Sequence, residues 1–371
     1  MPRDLVRRAA SRLRRTLTGT RPGTPGPEPV PLPVLGYVVA GGGGAHPASA
    51  HVRVVRRTEH LARSGRAEVR QVDPVAFVDG ADETPYRALL VQRDILPRDQ
   101  VEPFLAAAAA RGIRVAAEVD DDFFTASGRD RLARAEYDPD RLASIDALVR
   151  GADLVLVSTE ELAALVRPVA RRVVVVRNAL DPTIWTPGDT AVDEDLAVGE
   201  HRVLYMGTLT HGADLELLRD VFTDLTASDG LPVRLEVIGV TDDADGTGWY
   251  RRVEVPDGHY PAFARWLVDH RERWRAGVAP LRDEEFNRAK SDLKAIEYTA
   301  LGLPAVVSDR PSYRDARDHG VVAVPDDVDA WRHAVRAAVD TGDADPVAAR
   351  WVRDERTIGD DGDAWRSALL D

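Results

Sequence analysis

Residues 286–308 read FNRAKSDLKAIEYTALGLPAVVS, and the interpretation of the chain starts from this stretch. Its central part has no helix breaker before the sequence GLP, which predicts a helix over 292–301 with Ser291 as its N-cap. The apolar residues that follow, AVVS, predict a short buried strand over 305–308. A helix that leads directly into a buried strand is typical of an α/β protein with a parallel sheet.

Two lysines stand at the start of this predicted helix. Of the 49 basic residues in the chain, only Lys290 and Lys294 are lysines. In a helix they share one face with Glu297, and two ammonium groups at the positive end of a helix dipole are unfavourable unless an anion binds there. Backbone N–H groups at the helix start would add hydrogen-bond donors for a phosphate group. The alternative is a solvated helix face with a Lys294–Glu297 surface pair.

Length and composition limit the class of protein. The 371 residues are enough for two domains with hydrophobic cores. The absence of cysteine excludes disulfides, thiolate metal sites and cysteine nucleophiles. No apolar run approaches the roughly 18 residues that span a bilayer, and no secretory signal follows the basic N-terminus. We therefore expect a cytoplasmic protein.

The net charge of −13 is unevenly distributed. Residues 1–21 contain seven Arg and one Asp, so the rest of the chain is strongly acidic, which argues against nucleic-acid binding. Residues 3–18 have apolar residues at helical spacing with Arg opposite. This pattern predicts either weak contact with the inner face of the cell membrane or a disordered basic arm. Residues 21–33, RPGTPGPEPVPLP, predict an extended linker.

Beyond this linker, strand-like and helix-like runs alternate twice, which predicts two Rossmann-like domains facing each other across a cleft. The predicted divisions are a tail and linker over 1–31, an N-terminal domain over 32–186, a C-terminal domain over 187–345 and a helical segment over 346–371. The loops expected at the cleft are 40–44, 120–122, 158–159, 207–211 and 239, together with the helix that carries Lys290.

Several short motifs occur in a fixed order along these two halves. The C-terminal half contains Tyr205-Met206-Gly207-Thr208, Val237-Ile238-Gly239, Ala279-Pro280-Leu281 and the segment Lys-x-x-Glu-Tyr-x-Ala-x-Gly-x-Pro at 294–304. The N-terminal half contains the glycine run 41–44, Pro47-Ala48-Ser49 with Arg53, Asp120-Asp121-Asp122 and Arg177-Asn178-Ala179-Leu180-Asp181. Together they resemble the GT-B fold glycosyltransferases of the family 4 type (glycosyl transferases group 1) over nearly all of Leu32 to Leu370.

The resemblance implies a GT-B fold, with a C-terminal helix packing back on the N-terminal domain. It also implies metal-independent transfer of a sugar, with retention of configuration and no cofactor, from a nucleotide-diphosphate sugar. The C-terminal domain would bind this donor and the N-terminal domain the acceptor, which would be a glycan, a lipid-linked sugar or a small molecule.

The family's functional residues carry over by position. The lysines Lys290 and Lys294 would hold the diphosphate, and Glu297 would accept hydrogen bonds from the ribose hydroxyls. The other implied donor-binding residues are Gly207, Thr208, His211, Gly239, Asn287, Ser291, Asp292, Leu293 and Tyr298. The implied acceptor-side residues are Gly42, Gly43, Gly44, Ser49, Arg53, Asp121, Asp122, Ser158 and Asn178.

Two departures from the family pattern concern the donor site. The acid that usually precedes Glu297 is replaced by Ala289, so the partner of the donor sugar is open unless Glu284 or Glu285 reaches in. The Arg and Lys that often follow the Gly207 turn are also absent, which leaves Lys290 and Lys294 as the main cations for a diphosphate.

Other motifs favour structural explanations. The three consecutive aspartates 120–122 have the ligand chemistry for Mg²⁺, but we prefer a capping role with one Asp facing the acceptor. The glycine run lacks the third glycine of a dinucleotide fingerprint, and no Gly-x-Ser-x-Gly motif is present. His46, His51 and His211 fit polar structural roles, and His211 is the best candidate for more.

The sequence thus predicts a retaining glycosyltransferase acting in glycan, glycolipid or metabolite glycosylation. Two alternatives stay open. One is a nucleotide-sugar-binding protein without catalysis, because of Ala289, and the other is a GT-B-fold nucleotide-sugar epimerase.

Overall fold

Two parallel six-stranded sheets form the framework of the protein in the computed structural model. The structure describes residues 31–42, 45–134, 136–186, 199–208, 211–240, 248–359 and 364–371. The predicted tail helix over 3–18 and the residues Gly43 and Gly44 lie outside these ranges. The polar composition of residues 187–200 predicts a linker between the two domains, and most of that stretch also lies outside the described ranges.

The first sheet has the strand order β2-β1-β3-β4-β5-β6, with every neighbouring pair parallel. Its central strands are almost wholly buried because helices cover both faces, which explains their continuous apolar runs. The strands are β1 (Val34–Val38), β2 (Glu68–Gln71), β3 (Tyr86–Gln92), β4 (Arg114–Val119), β5 (Leu154–Val157) and β6 (Val173–Val175).

Helices connect these strands, and one of them contains an unusual turn. The sequence pattern predicts one helix over 49–64. In the structure this region is divided into helices α1 and α2, which are joined by a π-helical segment, His51–Val55. The helices are α1 (Ala48–Ala50), α2 (Arg56–Arg63), α3 (Pro74–Val78), α4 (Arg98–Ala110), α5 (Ala126–Arg134), α6 (Pro139–Gly151), α7 (Glu160–Val166) and α8 (Pro182–Trp185).

The second sheet has the order β12-β11-β10-β7-β8-β9 and is also parallel. Its strands are β7 (His201–Met206), β8 (Val233–Ile238), β9 (Tyr250–Arg252), β10 (Ala276–Ala279), β11 (Ala305–Ser308) and β12 (Val322–Val324). Its helices are α9 (Gly212–Leu215), α10 (Arg219–Phe222), α11 (Tyr260–Asp269), α12 (Glu285–Arg288), α13 (Leu293–Ala300), α14 (Arg314–Asp318) and α15 (Val328–Thr341). Short 3-10 turns occur at Glu216–Leu218, Arg271–Arg273 and Pro311–Tyr313.

Strand order reverses once in each sheet, between β1 and β3 and between β7 and β10. In doubly wound α/β sheets, ligands bind in the crevice outside the carboxyl ends of the strands at such a reversal. The loops that follow β1, β7 and β10 therefore lie where the topology favours a ligand site.

The chain returns to the first sheet after the second is complete. The backbone pairs Leu180 with Thr357 in a parallel bridge, and α16 (Pro346–Glu355) leads into this crossing. Helix α17 (Ala364–Leu370) then packs Trp365 and Leu369 into the cluster that also holds Leu35 of β1. This confirms the predicted C-terminal helix on the N-terminal half.

None of the helices in the described part of the chain is long and apolar enough to cross a membrane.

Candidate functional site

Helix α13 begins one residue later than predicted, at Leu293. Asp292, not Ser291, occupies the N-cap position, and its side chain makes no capping hydrogen bond. The Ser291 hydroxyl instead accepts a hydrogen bond from the Asn178 amide at 2.7 Å. The N-cap prediction for Ser291 was therefore wrong, because a residue from the other half of the molecule occupies its hydroxyl.

Lys290 lies at the interface between the two halves. Its Nζ donates to Asp121 Oδ2 at 2.9 Å and lies 4.6 Å from the centre of the Phe286 ring. Both members of the ion pair are about one-fifth exposed, so solvent reaches the pair. Lys290 is thus a cation at the interface whose partner is a carboxylate of the N-terminal half.

Lys294 lies deeper, beside the loop that follows β7. Its Nζ is 3.3 Å from His211 Nε2, and His211 Nδ1 is 2.8 Å from Asp214 Oδ2. Burial, with the nearby ammonium of Lys290, lowers the pKa of Lys294 to about 8. Burial, with the charge of Lys294, also lowers the pKa of His211 to about 4, so the ring is neutral near pH 7. Its proton then lies on Nδ1 facing Asp214, and Nε2 accepts from Lys294.

Glu297 lies one helical turn beyond Lys294 and is 7% exposed. Burial raises the pKa of its carboxyl to about 8, although the charge of Lys294 opposes this shift. Among the described residues none donates a hydrogen bond to this carboxyl. It is therefore a buried acid with unused hydrogen-bonding capacity beside the ammonium group of Lys294.

The start of α13 is tied to the N-terminal half through Asn178. Arg53, which is 1% exposed, donates to Asn178 Oδ1 at 2.8 Å and to Glu118 Oε1 at 2.7 Å. Gln92 also donates to Glu118. Arg53 was predicted on the acceptor side, and the structure places it below that surface, where it orients Asn178.

Glycines shape the backbone behind this site. Gly239 has φ +70°, and a Cβ there would lie 2.5 Å from the carbonyl oxygen of Gly207. Only glycine fits such a close approach in the left-handed region. The two predicted donor-site glycines are therefore neighbours, and Thr208 follows directly in the loop that carries His211. In the N-terminal half, Gly42 forms an isolated bridge with Ala45.

Two of the predicted donor-binding residues support the site from within. Tyr298 is wholly buried, accepts a hydrogen bond from Met206 N and donates to the Val278 carbonyl. Asn287 is buried, and its amide donates to Asp214 Oδ1 at 3.1 Å. Both side chains hold the framework around Lys294 and do not project into the interface.

The predicted acceptor-side residues are spread over several loops. Ser49 is half-buried in α1, and its carbonyl accepts from Gln92. Asp122 is buried and accepts from the Thr125 N–H at 3.0 Å, so it stabilises the turn before α5. Asp120 accepts from Arg93 at 2.5 Å, so of the three consecutive aspartates it is Asp121 that meets the C-terminal half. The described residues contain no group of three or more His, Cys, Asp or Glu that could hold a metal ion.

Ser158 lines a space between the two halves. Its hydroxyl is buried and has no hydrogen-bond partner among the described residues. The space measures about 190 Å³, and its lining includes Arg177, Asp292 and Asp315. Arg177 donates to Asp315 at 2.7 Å across the interface.

Ala289 marks where this chain departs most from the family pattern. It is 1% exposed and packs into the core cluster of the N-terminal half, and its carbonyl accepts from Thr159 Oγ1 at 3.0 Å. Glu284 lies 3.4 Å from Arg131, and Glu285 is exposed on α12. The usual acid position is thus an interdomain packing position here.

Sequence reasoning missed Arg356. Its guanidinium is 3% exposed and donates to both carboxylate oxygens of Asp292 at 2.6 Å. It also donates to the Asn178 carbonyl at 3.0 Å. A lone Arg at the end of α16 has no local signal for such a role, because its partners lie far away in the sequence.

No protein-family model matches the chain, and no curated protein matches it. Among solved structures, Alr3699/HepE from Anabaena in complex with UDP-glucose is similar, with a TM-score of 0.54, 10% identity and coverage of 88% of this chain and 96% of that chain. The pneumococcal O-GlcNAc transferase GtfA in complex with UDP and GlcNAc has a TM-score of 0.44, 11% identity and coverage of 80% and 55%. The UDP-GlcNAc 2-epimerase of Methanocaldococcus jannaschii has a TM-score of 0.45, 10% identity and coverage of 86% and 98%.

The chain therefore spans about half the length of the GtfA chain and nearly all of the other two. At these identities the likeness identifies the fold alone, and the HepE alignment is the one that carries it. The predicted fold, two Rossmann-like domains in the GT-B arrangement, is confirmed.

Proposed function

We propose that this chain is a family 4-like, retaining, metal-independent glycosyltransferase that uses a nucleotide-diphosphate sugar. The observation that carries the proposal is the convergence of Lys290, Lys294 and Glu297 around the start of α13, at the interface between the two halves. HepE was solved with UDP and with UDP-glucose, which makes UDP the first nucleotide to test.

The chemistry follows from charge at the leaving group. Breaking the anomeric bond builds negative charge on the β-phosphate, and fixed cations with helix N–H groups stabilise that charge more in the transition state than in the ground state. Burial and the nearby charge of Lys290 lower the pKa of Lys294, so its charged form is destabilised when no anion is bound. An anionic diphosphate relieves that cost.

No nucleophile of the protein is required for retention. The acceptor hydroxyl attacks the anomeric carbon on the face that the diphosphate leaves, and its proton passes to the departing phosphate oxygen. Glu297 would bind the ribose hydroxyls. Because hydrogen bonds to a carboxylate favour its charged form, donor binding would lower the pKa of Glu297 from about 8.

A second candidate is a nucleotide-sugar-binding protein without turnover. The packing of Ala289 into the N-terminal core supports it, because no carboxylate stands where the family's acid would meet the donor sugar. An epimerase is a third reading, and it would convert a nucleotide sugar with no acceptor present.

The test combines binding with turnover. UDP and a panel of UDP-sugars are titrated by thermal shift, since a ligand that binds the native state raises the melting temperature. Release of UDP is then followed with and without candidate acceptors. We expect a rise in melting temperature with UDP that Glu297→Ala removes and the exposed control Glu272→Ala retains.

Three outcomes separate transfer from binding without turnover and test the donor site. Acceptor-dependent UDP release supports transfer, and binding without turnover across the panel indicates the binding protein. No shift with any nucleotide diphosphate contradicts the donor site itself.

A further inference from the structure

Six helices in the described part of the chain have aspartate at the N-cap, and in five of them its side chain caps the helix. Five aspartates at N-cap positions have extended backbones, with ψ between 112° and 131°, and each accepts a backbone N–H of its own helix: Asp73, Asp138, Asp181, Asp327 and Asp345. Asp292 holds the same position at α13 but has ψ 19° and accepts no N–H.

The carboxylate of Asp292 is held away from the helix by Arg356. The two nitrogens NH1 and NH2 each donate to one carboxylate oxygen at 2.6 Å, in a pair that is almost fully buried. Bidentate pairing of this kind fixes the geometry of both groups. Arg356 also donates to Asp315 and to the Asn178 carbonyl, so both halves of the molecule hold it in place.

The consequence is an open helix N-terminus. The first three N–H groups of α13, those of Leu293, Lys294 and Ala295, have no hydrogen-bond acceptor among the described residues. A capping carboxylate would accept from N2 or N3 and would bring a negative charge to the end of the helix. The ammonium groups of Lys290 and Lys294 already lie beside this end.

We propose that Arg356 is a positioning residue that keeps the α13 N-terminus open for the donor diphosphate by withholding the carboxylate of Asp292. The inference rests on the proposed donor site. Without Arg356, the buried carboxylate of Asp292 loses its ion-pair partner, which is strongly unfavourable. The open N–H groups of its own helix are then available as donors, as they are for the five capping aspartates, and rotation of ψ toward the extended region turns Asp292 into an ordinary cap. The helix then carries its own anion, which excludes the diphosphate.

The experiment is a mutant cycle with UDP as the probe. Arg356→Met keeps the length of the side chain and removes its charge, and we expect it to weaken UDP binding at least about tenfold. Removing the competing carboxylate as well, in Asp292→Ala/Arg356→Met, should restore the affinity to within about threefold of the unmodified chain. A role confined to packing predicts that the double variant binds no better than the single one.

Two additions keep the result interpretable. Uridine, which has no phosphate, should bind Arg356→Met as it binds the unmodified chain, since the change acts on the anion. If Arg356→Met does not fold, Arg356→Lys replaces it, because an ammonium holds the carboxylate less rigidly. Asp292→Ala/Arg356→Lys is then the rescue variant.

The outcomes distinguish this inference from the proposed function. Unmodified protein that binds neither UDP nor pyrophosphate contradicts both. Unmodified protein that binds UDP, with no loss on substituting Arg356 or no recovery on removing Asp292, overturns the role of Arg356 and leaves the donor site standing.

Discussion

Helices α13 and α15 both have aspartate at the N-cap position, but only the aspartate of α15 caps its helix. At α15, Asp327 has an extended backbone and accepts from the Ala330 N–H at 2.7 Å. At α13, Asp292 is drawn to Arg356, and the first N–H groups of the helix stay open. A capped N-terminus stabilises its helix and is closed to anions, whereas an open one leaves hydrogen-bond donors for a ligand.

The largest expected effect tests whether the open N-terminus needs its cations. Lys290→Ala/Lys294→Ala should weaken UDP binding by about 100-fold or more, because each charge-assisted hydrogen bond is worth about 1.5–3 kcal/mol. Isothermal titration calorimetry measures the loss. Arg288→Ala is the control, since Arg288 is exposed on α12 and pairs with Asp283. A double lysine variant that binds UDP as tightly as the unmodified chain would show that the open N-terminus of α13 does not need its two cations.

The next effect is a pH dependence specific to α13. The pKa of Lys294 is lowered to about 8. Above this pH the side chain loses its proton, and with it the positive charge that attracts an anion. Binding then takes up a proton, and UDP affinity should fall by up to about tenfold per pH unit above pH 8. Lys294→Arg, which stays charged, should flatten this fall. A fall of the same slope in Lys294→Arg would mean that another group titrates.

The smallest effect concerns the closed N-terminus. Asp327→Ala should lower the free energy of unfolding by about 1 kcal/mol, the usual value of a lost cap, and leave UDP affinity unchanged. Urea denaturation measures the stability. Asp329→Ala in the same first turn is the control, because it removes an exposed acid that is not at the cap position. Weaker UDP binding in Asp327→Ala would show that the two N-termini are not independent.

Periodic elements were predictable because their signal is local. Helix α15 matches the helix that the sequence pattern predicts over 328–341, and β11 matches the strand predicted over 305–308. Eleven of the twelve described strands match apolar runs that predict strands, at 34–40, 69–72, 88–92, 115–119, 154–158, 173–177, 203–206, 234–238, 277–279, 305–308 and 321–324. The missed strand, β9, is a three-residue edge strand of polar, partly exposed residues, so it has no apolar pattern. Helix α12 was missed because four residues are too few to show a helical period.

The candidate site divides in the same way. The helical period placed Lys294 and Glu297 together on α13. Lys290 lies before the first residue of that helix, and its ion pair with Asp121 was not predictable from the period. Finding Tyr298 and Arg53 inside the molecule required the packing, because a Tyr or Arg has the same local signal whether it faces a ligand or supports a neighbouring group.

The alternation of strands and helices, and the three charged residues around one helix start, could be read from the order of residues along the chain. The partners of the charged residues at this helix start depend on the folded molecule. They are Asp121 for Lys290, His211 for Lys294 and Arg356 for Asp292, at separations of 169, 83 and 64 residues. The physical reason is that side-chain periodicity is a property of consecutive residues. The pairing of charges depends instead on which loops the two sheets bring to a common edge, and no local pattern records it.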